Sequence, residues 1–361
     1  MKVSKFTAVL TTAMCAFIAG SSIYAVYRYS ATDTGLIGNT NDQLSFDNGN
    51  PNVNVMLSRP TNWHKIASEA LLTHEDFAAI DGSTATIPIT AELARQFCDA
   101  TDDHLDSTLY TGLFIKHNTT GNAYDNLIGR WNNSIRWSVG SDIIISEKPV
   151  SLVFATPPSE EEYSDAEKAG VELEVEPVAL DGFVFITHKD NPVDSLTVDQ
   201  IRDIYSGRIT NWKEVGGKNE KIRAFQRTKN SGSQTAMEEL VMKDTPMTDP
   251  PVAFVAEEMG ALVERIAEYE NESAAIGYTY YYYINNLYKN PDIKVINIDG
   301  ISPADENLLS NEYPFTAAYC AVIRSDEPKD SIYRELRDYM LTDEGQEIIR
   351  LAGYCPVKEV E

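Results

Sequence analysis

At 361 residues the chain is too long for one small core, and about two domains are expected. Its 43% hydrophobic, 24% charged and 10% aromatic residues are those of a folded protein, not of a disordered or fibrous one. A formal net charge of −25 argues against nucleic acid or an anionic membrane surface as partner, yet leaves room for a buried anion site governed by local dipoles.

Lys2 and Lys5 precede an apolar run over 6–26, so residues 1–26 read as a signal peptide or an uncleaved signal anchor, and the chain as exported. Cys15 stands in a poor lipobox and Ala25 ends a weak cleavage site, which leaves cleavage, lipidation and anchoring all open. Residues 27–61, rich in Asn, Asp, Thr, Gly and Ser, read as a flexible leader. Globular sequence begins near Trp63 and His64. The stretch 79–97 reads as strand, glycine turn and helix; Pro88 fits only the opening helical turn, which sets Ser83 and Thr84 at the helix N-terminus. Residues 112–116 read as a strand, and Thr120 and Gly121 open the next helix. Strands are expected at 142–145 and 152–155, and Ser159 precedes a helix whose first turn carries Glu160, Glu161 and Glu162, as the macrodipole favours.

The run 182–187 is almost wholly apolar, the pattern of a strand covered on both faces. Thr197 and Gln200 form a capping box for a helix that stops at Gly207. Trp212 is read as core. Then comes the most informative stretch, Phe225 to Met237: a strand delivers Arg227, a short polar loop follows, and Ser231 caps a helix that begins Gly232, Ser233. First-turn amides have no intrahelical partner, and glycine allows close approach to the backbone. Arginine, hydroxyls and a helix N-terminus together suit a small oxyanion. The junctions at Ser83/Thr84 and Thr120/Gly121 share that chemistry, so three helix starts are expected to converge on one anion. Further strands are expected at 275–283, 293–298 and 314–324, with a closing helix at 331–341. Alternate tyrosines within 280–283 are expected to go to core and surface. Alternation of strand and helix gives the class as α/β.

These residues carry a resemblance. The segment 180–217, with Asn191-Pro, a helix ending Ser206-Gly, then Thr210-Asn-Trp and Gly216-Gly, continues to Arg227 four residues before Ser231-Gly-Ser. In this it resembles the substrate-binding proteins of phosphate ABC transporters, over roughly residues 81–357. The resemblance implies a two-lobed Venus-flytrap of the type II periplasmic-binding-protein fold, each lobe a mixed sheet flanked by helices and joined by two hinge strands. Lobe one would be 62–181 with 318–361, and lobe two 182–317. It implies that Arg227, Ser231, Gly232 and Ser233 clamp inorganic phosphate from lobe two, and that Ser83, Thr84, the Ala85 amide and Thr120 do so from lobe one. It further implies a monomer, outside the cytoplasm, that hands the anion to an ABC permease, with no metal or cofactor. One family feature has no counterpart. The aspartate that accepts the proton of a protonated phosphate is missing from 154–159; Asp81 and Asp142 are the candidate replacements, neither at the matching place.

Other readings have less support. No Gly-x-Ser-x-Gly elbow is present, and His64, His74, His104, His117 and His188 lack metal-ligand spacing, so an enzyme is not expected. Asp99, Asp102, Asp103 and Asp106 lack the pattern of a calcium loop and read as a solvated face. A transport-free anion sensor, or a receptor for another oxyanion or a phosphorylated small molecule, differs only in cleft and anchor. For Cys320 and Cys355 both a disulfide and buried thiols are open.

Overall fold

The structure, a computed structural model, describes residues 60–67, 69–101, 105, 115–139, 142–229, 231–256, 259–267, 274–287 and 289–358. The expected signal segment and all but the end of the leader, 1–59, lie outside the described residues, as do 112–114 of one expected strand and three of the four aspartates of the acidic run.

Strand β1 (Ile80–Gly82) runs through a 3-10 turn (Thr84–Thr86) into α1 (Ile87–Cys98). After α2 (Thr120–Gly129) come the hairpin strands β2 (Asn132–Val139) and β3 (Asp142–Pro149), then β4 (Leu152–Ala155) and α3 (Glu160–Lys168). The long strand β5 (Leu173–His188) leads to β6 (Ser195–Leu196), α4 (Val198–Tyr205), β7 (Arg223–Ala224) and β8 (Gln226–Arg227). Next are α5 (Gly232–Ala236), prolonged by a π-helical stretch (Met237–Met242), β9 (Val255–Ala256), α6 (Met259–Ala267) and β10 (Ala275–Tyr280). The chain ends with β11 (Ile293–Ile298), α7 (Asp305–Leu309), β12 (Thr316–Arg324), α8 (Ile332–Tyr339), α9 (Asp343–Leu351) and β13 (Cys355–Pro356).

β5 is the shared element. Its residues 173–182 pair antiparallel with the whole of β12, beyond which lie β4 and β1. From Phe183 onward it pairs with β10 and β11 instead, and β7 lies beyond β10. One set of strands therefore hangs on each half of β5, with the change of partner between Gly182 and Phe183. Residues 181–188 are all buried, as the apolar run predicts for a strand covered on both faces. Around the change of partner Phe183, Phe185, Tyr205, Tyr278, Tyr280, Phe315 and Tyr319 form a ring cluster with neighbouring centroids 5.5–6.3 Å apart. Each such pair adds roughly 0.5–1.5 kcal/mol beyond the area it buries. A smaller core of Ala123, Tyr124, Leu127, Val153 and Cys320 seats α2 on β4 and β12.

Local signals read from the sequence match the elements closely. Thr197 and Gln200 exchange bonds as a capping box, and so do Ser159 and Glu162. Trp212 is buried and donates through Nε1 to the Ala274 carbonyl at 2.9 Å. Three expectations are corrected. The strand expected over 275–283 ends at Tyr280, because the Tyr282 amide turns to donate to Asp181 Oδ1 at 3.0 Å and the chain goes helical. Tyr280, Tyr282 and Tyr283 are consequently all buried, not alternating between core and surface. Residues 142–145 do form a strand, but in a hairpin that leaves Ile143 and Ile145 exposed. Ile115 and Lys116 are described and lie outside any strand. Cys98, Cys320 and Cys355 are free thiols, and burial pushes each up to about 12. Among the described residues no helix is long and apolar enough to cross a membrane.

Candidate functional site

A cavity of about 360 Å³ opens where the helix starts meet. All eight residues singled out in the sequence, Ser83, Thr84, Ala85, Thr120, Arg227, Ser231, Gly232 and Ser233, line it. Thr156, Asp125, Lys229, Tyr280 and Tyr319 line it as well.

The first wall is built on β1. Ser83 anchors its amide on the Phe154 carbonyl of β4 at 2.9 Å, and the chain then curls so that Thr86 donates back to Ser83. The Thr84 and Ala85 amides thus fall in the opening turn, ahead of the repeating helical bonds. Pro88 sits in the first turn of α1, as required of a residue without an N–H. Thr119 caps α2, and the Thr120, Gly121 and Asn122 amides precede its first repeating bond, from Ala123 to the Thr119 carbonyl. Two buried ionisable side chains hold these starts together. Asp81 accepts the Asn118 amide at 2.8 Å and the side-chain amides of Asn118 and Asn126 at 2.7 and 2.8 Å. His117 lies within 2.8 Å of the Ser83 carbonyl through Nδ1 and within 2.8 Å of the Thr90 hydroxyl through Nε2. That pairing fits the neutral ring with the proton on Nδ1. Burial lowers its pKa. Gly82 is obligatory beside them, since a Cβ there would meet the Phe154 carbonyl oxygen at 2.5 Å and the His117 ring at 2.7 Å.

The second wall is built on β8. Arg227 is 5% exposed; its Nε donates to the Ala256 carbonyl at 3.1 Å and Nη1 to Ser233 Oγ at 3.1 Å, which fixes the guanidinium plane. Its amide donates to Tyr278 Oη at 3.0 Å and to Gln234 Oε1 at 3.1 Å. Ser231 caps α5 by accepting the Gln234 amide at 3.2 Å, leaving the Gly232 and Ser233 amides in the open first turn. Tyr280 donates to the Gly232 carbonyl at 3.2 Å from below.

The walls meet closely. A Cβ on Gly232 would sit 3.0 Å from Thr120 Oγ1 and 3.1 Å from Thr156 Oγ1. Glycine here lets the two walls approach each other as well as any ligand. At the mouth Lys229 pairs with Glu161 at 3.6 Å. Neither candidate replacement for the missing aspartate lines the cavity: Asp81 is buried behind the first wall and Asp142 begins the exposed hairpin strand β3. The carboxylate that does line it is Asp125, four residues after Gly121 on α2, one helical turn further along the same face. Its pKa is raised by partial burial and by Asp165. That helical spacing was the sequence signal for Asp125. Thr156 stands within the segment that lacks the family's aspartate and contributes a hydroxyl to the cavity.

Residues 141–344, more than half of the chain, match the PBP superfamily domain model, and the chain belongs to the PBP superfamily. It has the mixed α/β periplasmic-binding-protein fold. Among individual proteins it is 26% identical over 199 residues to the phosphate-binding protein PstS of Bacillus subtilis, covering 54% of this chain and 62% of that one. With PstS of Staphylococcus epidermidis it shares 24% over 270 residues, 74% of each chain. The matches span less than two thirds of the Bacillus subtilis and Borreliella burgdorferi PstS proteins. A structure from Clostridium perfringens, assigned as a phosphate ABC transporter substrate-binding protein and solved with bound phosphate, aligns with a TM-score of 0.55 at 26% identity, over 77% of this chain and 98% of that one. An ABC-type phosphate transport receptor from Vibrio cholerae aligns with a TM-score of 0.52 at 21% identity, over 76% and 98%, and shares the fold.

Proposed function

We propose that this chain is an extracytoplasmic solute-binding protein, not an enzyme, that captures inorganic phosphate between two lobes and delivers it to an ABC permease. The observation that carries the reading is the convergence of three helix starts and the buried Arg227 on one cavity. Free amides and positive dipole ends favour a compact anion, and a guanidinium supplies fixed donors for its oxygens. The relatives named PstS and the phosphate-bound Clostridium perfringens structure support the choice of phosphate. The strand pairings support lobes at 62–181 with 318–361 and at 182–317, because β5 changes partners at Gly182 and β12 returns alongside. On this reading Asp125 is the carboxylate that accepts the proton of HPO₄²⁻ or H₂PO₄⁻, which sulfate cannot offer.

The cavity volume favours a second reading. About 360 Å³ falls within the range of pockets that take small organic molecules, so a phosphorylated small molecule fits the same anion-holding groups. Calorimetric titration of ligand-stripped protein with phosphate, then sulfate, separates these outcomes. Saturable phosphate binding with no sulfate response supports the proposal; no response to either rejects inorganic phosphate and leaves the larger ligand.

A further inference from the structure

Beneath the cavity a buried cluster of tyrosines surrounds one carboxylate. Asp181 lies in β5 beside the change of partner, is 3% exposed, and touches both sets of strands. Its Oδ1 accepts the Gly182 amide at 2.8 Å and the Tyr282 amide at 3.0 Å, and its Oδ2 accepts the Tyr319 hydroxyl of β12 at 3.3 Å. Tyr319 itself lines the cavity, with its ring 5.5 Å from that of Tyr280. The same cluster reaches both walls: Tyr280 holds the Gly232 carbonyl, and Tyr354 donates to the Ala85 carbonyl while packing 5.3 Å from Tyr319.

The titratable groups around Asp181 are Tyr280 on β10 and Tyr282 just after it, Tyr313 before β12, Tyr319 on β12, Tyr354 and Cys355 near the end of the described residues, and Asp305 on α7. Burial keeps every one of these tyrosines and the thiol neutral at physiological pH, while Asp305 acts as a further negative charge. Arg227 acts on Tyr280, and Arg95 and Glu92 act on Tyr282.

We infer that Asp181 is a positioning residue that couples anion capture to the uptake of one proton, by controlling where the Tyr319 hydroxyl donates. Ionised, Asp181 takes the Tyr319 hydroxyl hydrogen for itself. When a proton from solvent adds to Asp181 Oδ2, the carboxyl becomes the donor and Tyr319 Oη the acceptor. The Tyr319 O–H bond stays intact and rotates toward the cavity, adding a donor to the anion's shell. Burial, opposed by the two amides and the Tyr319 hydroxyl, pushes the Asp181 carboxyl up to about 7, so the exchange falls in the working pH range. The inference rests on the reading of the cavity as an anion site.

The test is calorimetric titration of phosphate into the full chain, stripped of ligand, from pH 6 to 8.5, for the wild type, Asp181→Asn and Tyr319→Phe. Asparagine keeps an acceptor for both amides and donates permanently to Tyr319 Oη, so it imitates the protonated carboxyl. Wild type and Asp181→Asn should agree within about twofold at pH 6, and the wild type should bind about tenfold more weakly than the variant at pH 8. The ionisation of phosphate is common to both proteins and cancels in that ratio. A ratio that does not change with pH, with both proteins binding, overturns the inference and leaves the anion site standing. Absence of phosphate binding in the wild type at every pH overturns the anion reading and this inference with it. Should Asp181→Asn fail to fold, Tyr319→Phe decides. The wild type's advantage over it must shrink with rising pH, by about tenfold from pH 6 to 8, and a constant advantage overturns the inference.

Discussion

The wall that runs from Ser83 to Thr120 is braced from behind by two buried ionisable side chains, Asp81 and His117, whereas the Arg227–Ser233 wall is braced by the neutral groups Gln234, Tyr278 and Tyr280. The fixed positive charge that would meet a ligand belongs to the second wall, and in the first the ionisable braces lie behind the amides. Charge recognition and backbone geometry are therefore separable. Altering the second wall should cost affinity with little loss of fold, and altering the first wall's braces should cost stability along with affinity.

The largest effect should come from Arg227→Ala. Removing a buried, charged hydrogen-bonding partner costs about 2–5 kcal/mol of binding, so phosphate affinity should drop by roughly 30-fold or more while thermal unfolding stays cooperative. Equilibrium dialysis with labelled phosphate reads the first and calorimetry the second; retained affinity would show that the second wall does not carry the charge. Asp81→Ala should cost stability along with affinity. It strips acceptors from the Asn118 amide and from the side chains of Asn118 and Asn126, at a cost of about 3 kcal/mol of folding stability, seen as a lower urea midpoint.

His117 sharpens the comparison through pH. Its folded pKa lies below the ordinary 6.5, so the unfolded chain takes up a proton that the folded one refuses. Its contribution is complete above pH 6.5 and declines as the pH falls below that value. The urea midpoint of the wild type should therefore fall more steeply than that of His117→Gln between pH 7 and 5, and parallel slopes would contradict a neutral brace. Asp181 has the opposite sign. Its contribution is complete below 3.8 and is lost as the pH rises through about 7. The smallest effect should come from Gly232→Ala. Its Cβ would press on the Thr120 and Thr156 hydroxyls at 3.0 and 3.1 Å, holding the walls apart by a few tenths of an ångström. Phosphate binding should weaken by roughly tenfold or less, with stability changed by under about 1 kcal/mol.

What the sequence made legible was local. Ser231 before Gly232, Thr197 with Gln200 and Ser159 with Glu162 are capping patterns whose partners lie within three residues, and each helix starts where its cap stands. The apolar run at 182–187 likewise announced a strand buried on both faces. The braces were not legible, because Asp81 reaches Asn118 and Asn126 across 37 and 45 residues, and His117 reaches Ser83 across 34. The tyrosine floor was misread for the same reason. Period-two alternation holds only while a strand continues, and the bond from Tyr282 to Asp181, 101 residues away, ends it. Asp125 stands one helical turn beyond Gly121, but nothing local sets it apart from an ordinary solvated carboxylate on a helix.

The central claim is that both walls close on one anion. A crystal structure of the chain grown with excess phosphate tests it most directly. The account predicts tetrahedral density within hydrogen-bond distance of the first-turn amides at Thr84–Ala85, Thr120–Asn122 and Gly232–Ser233 and of the Arg227 guanidinium. A cavity holding only water at saturating phosphate, or an anion bound elsewhere on the protein, would contradict it.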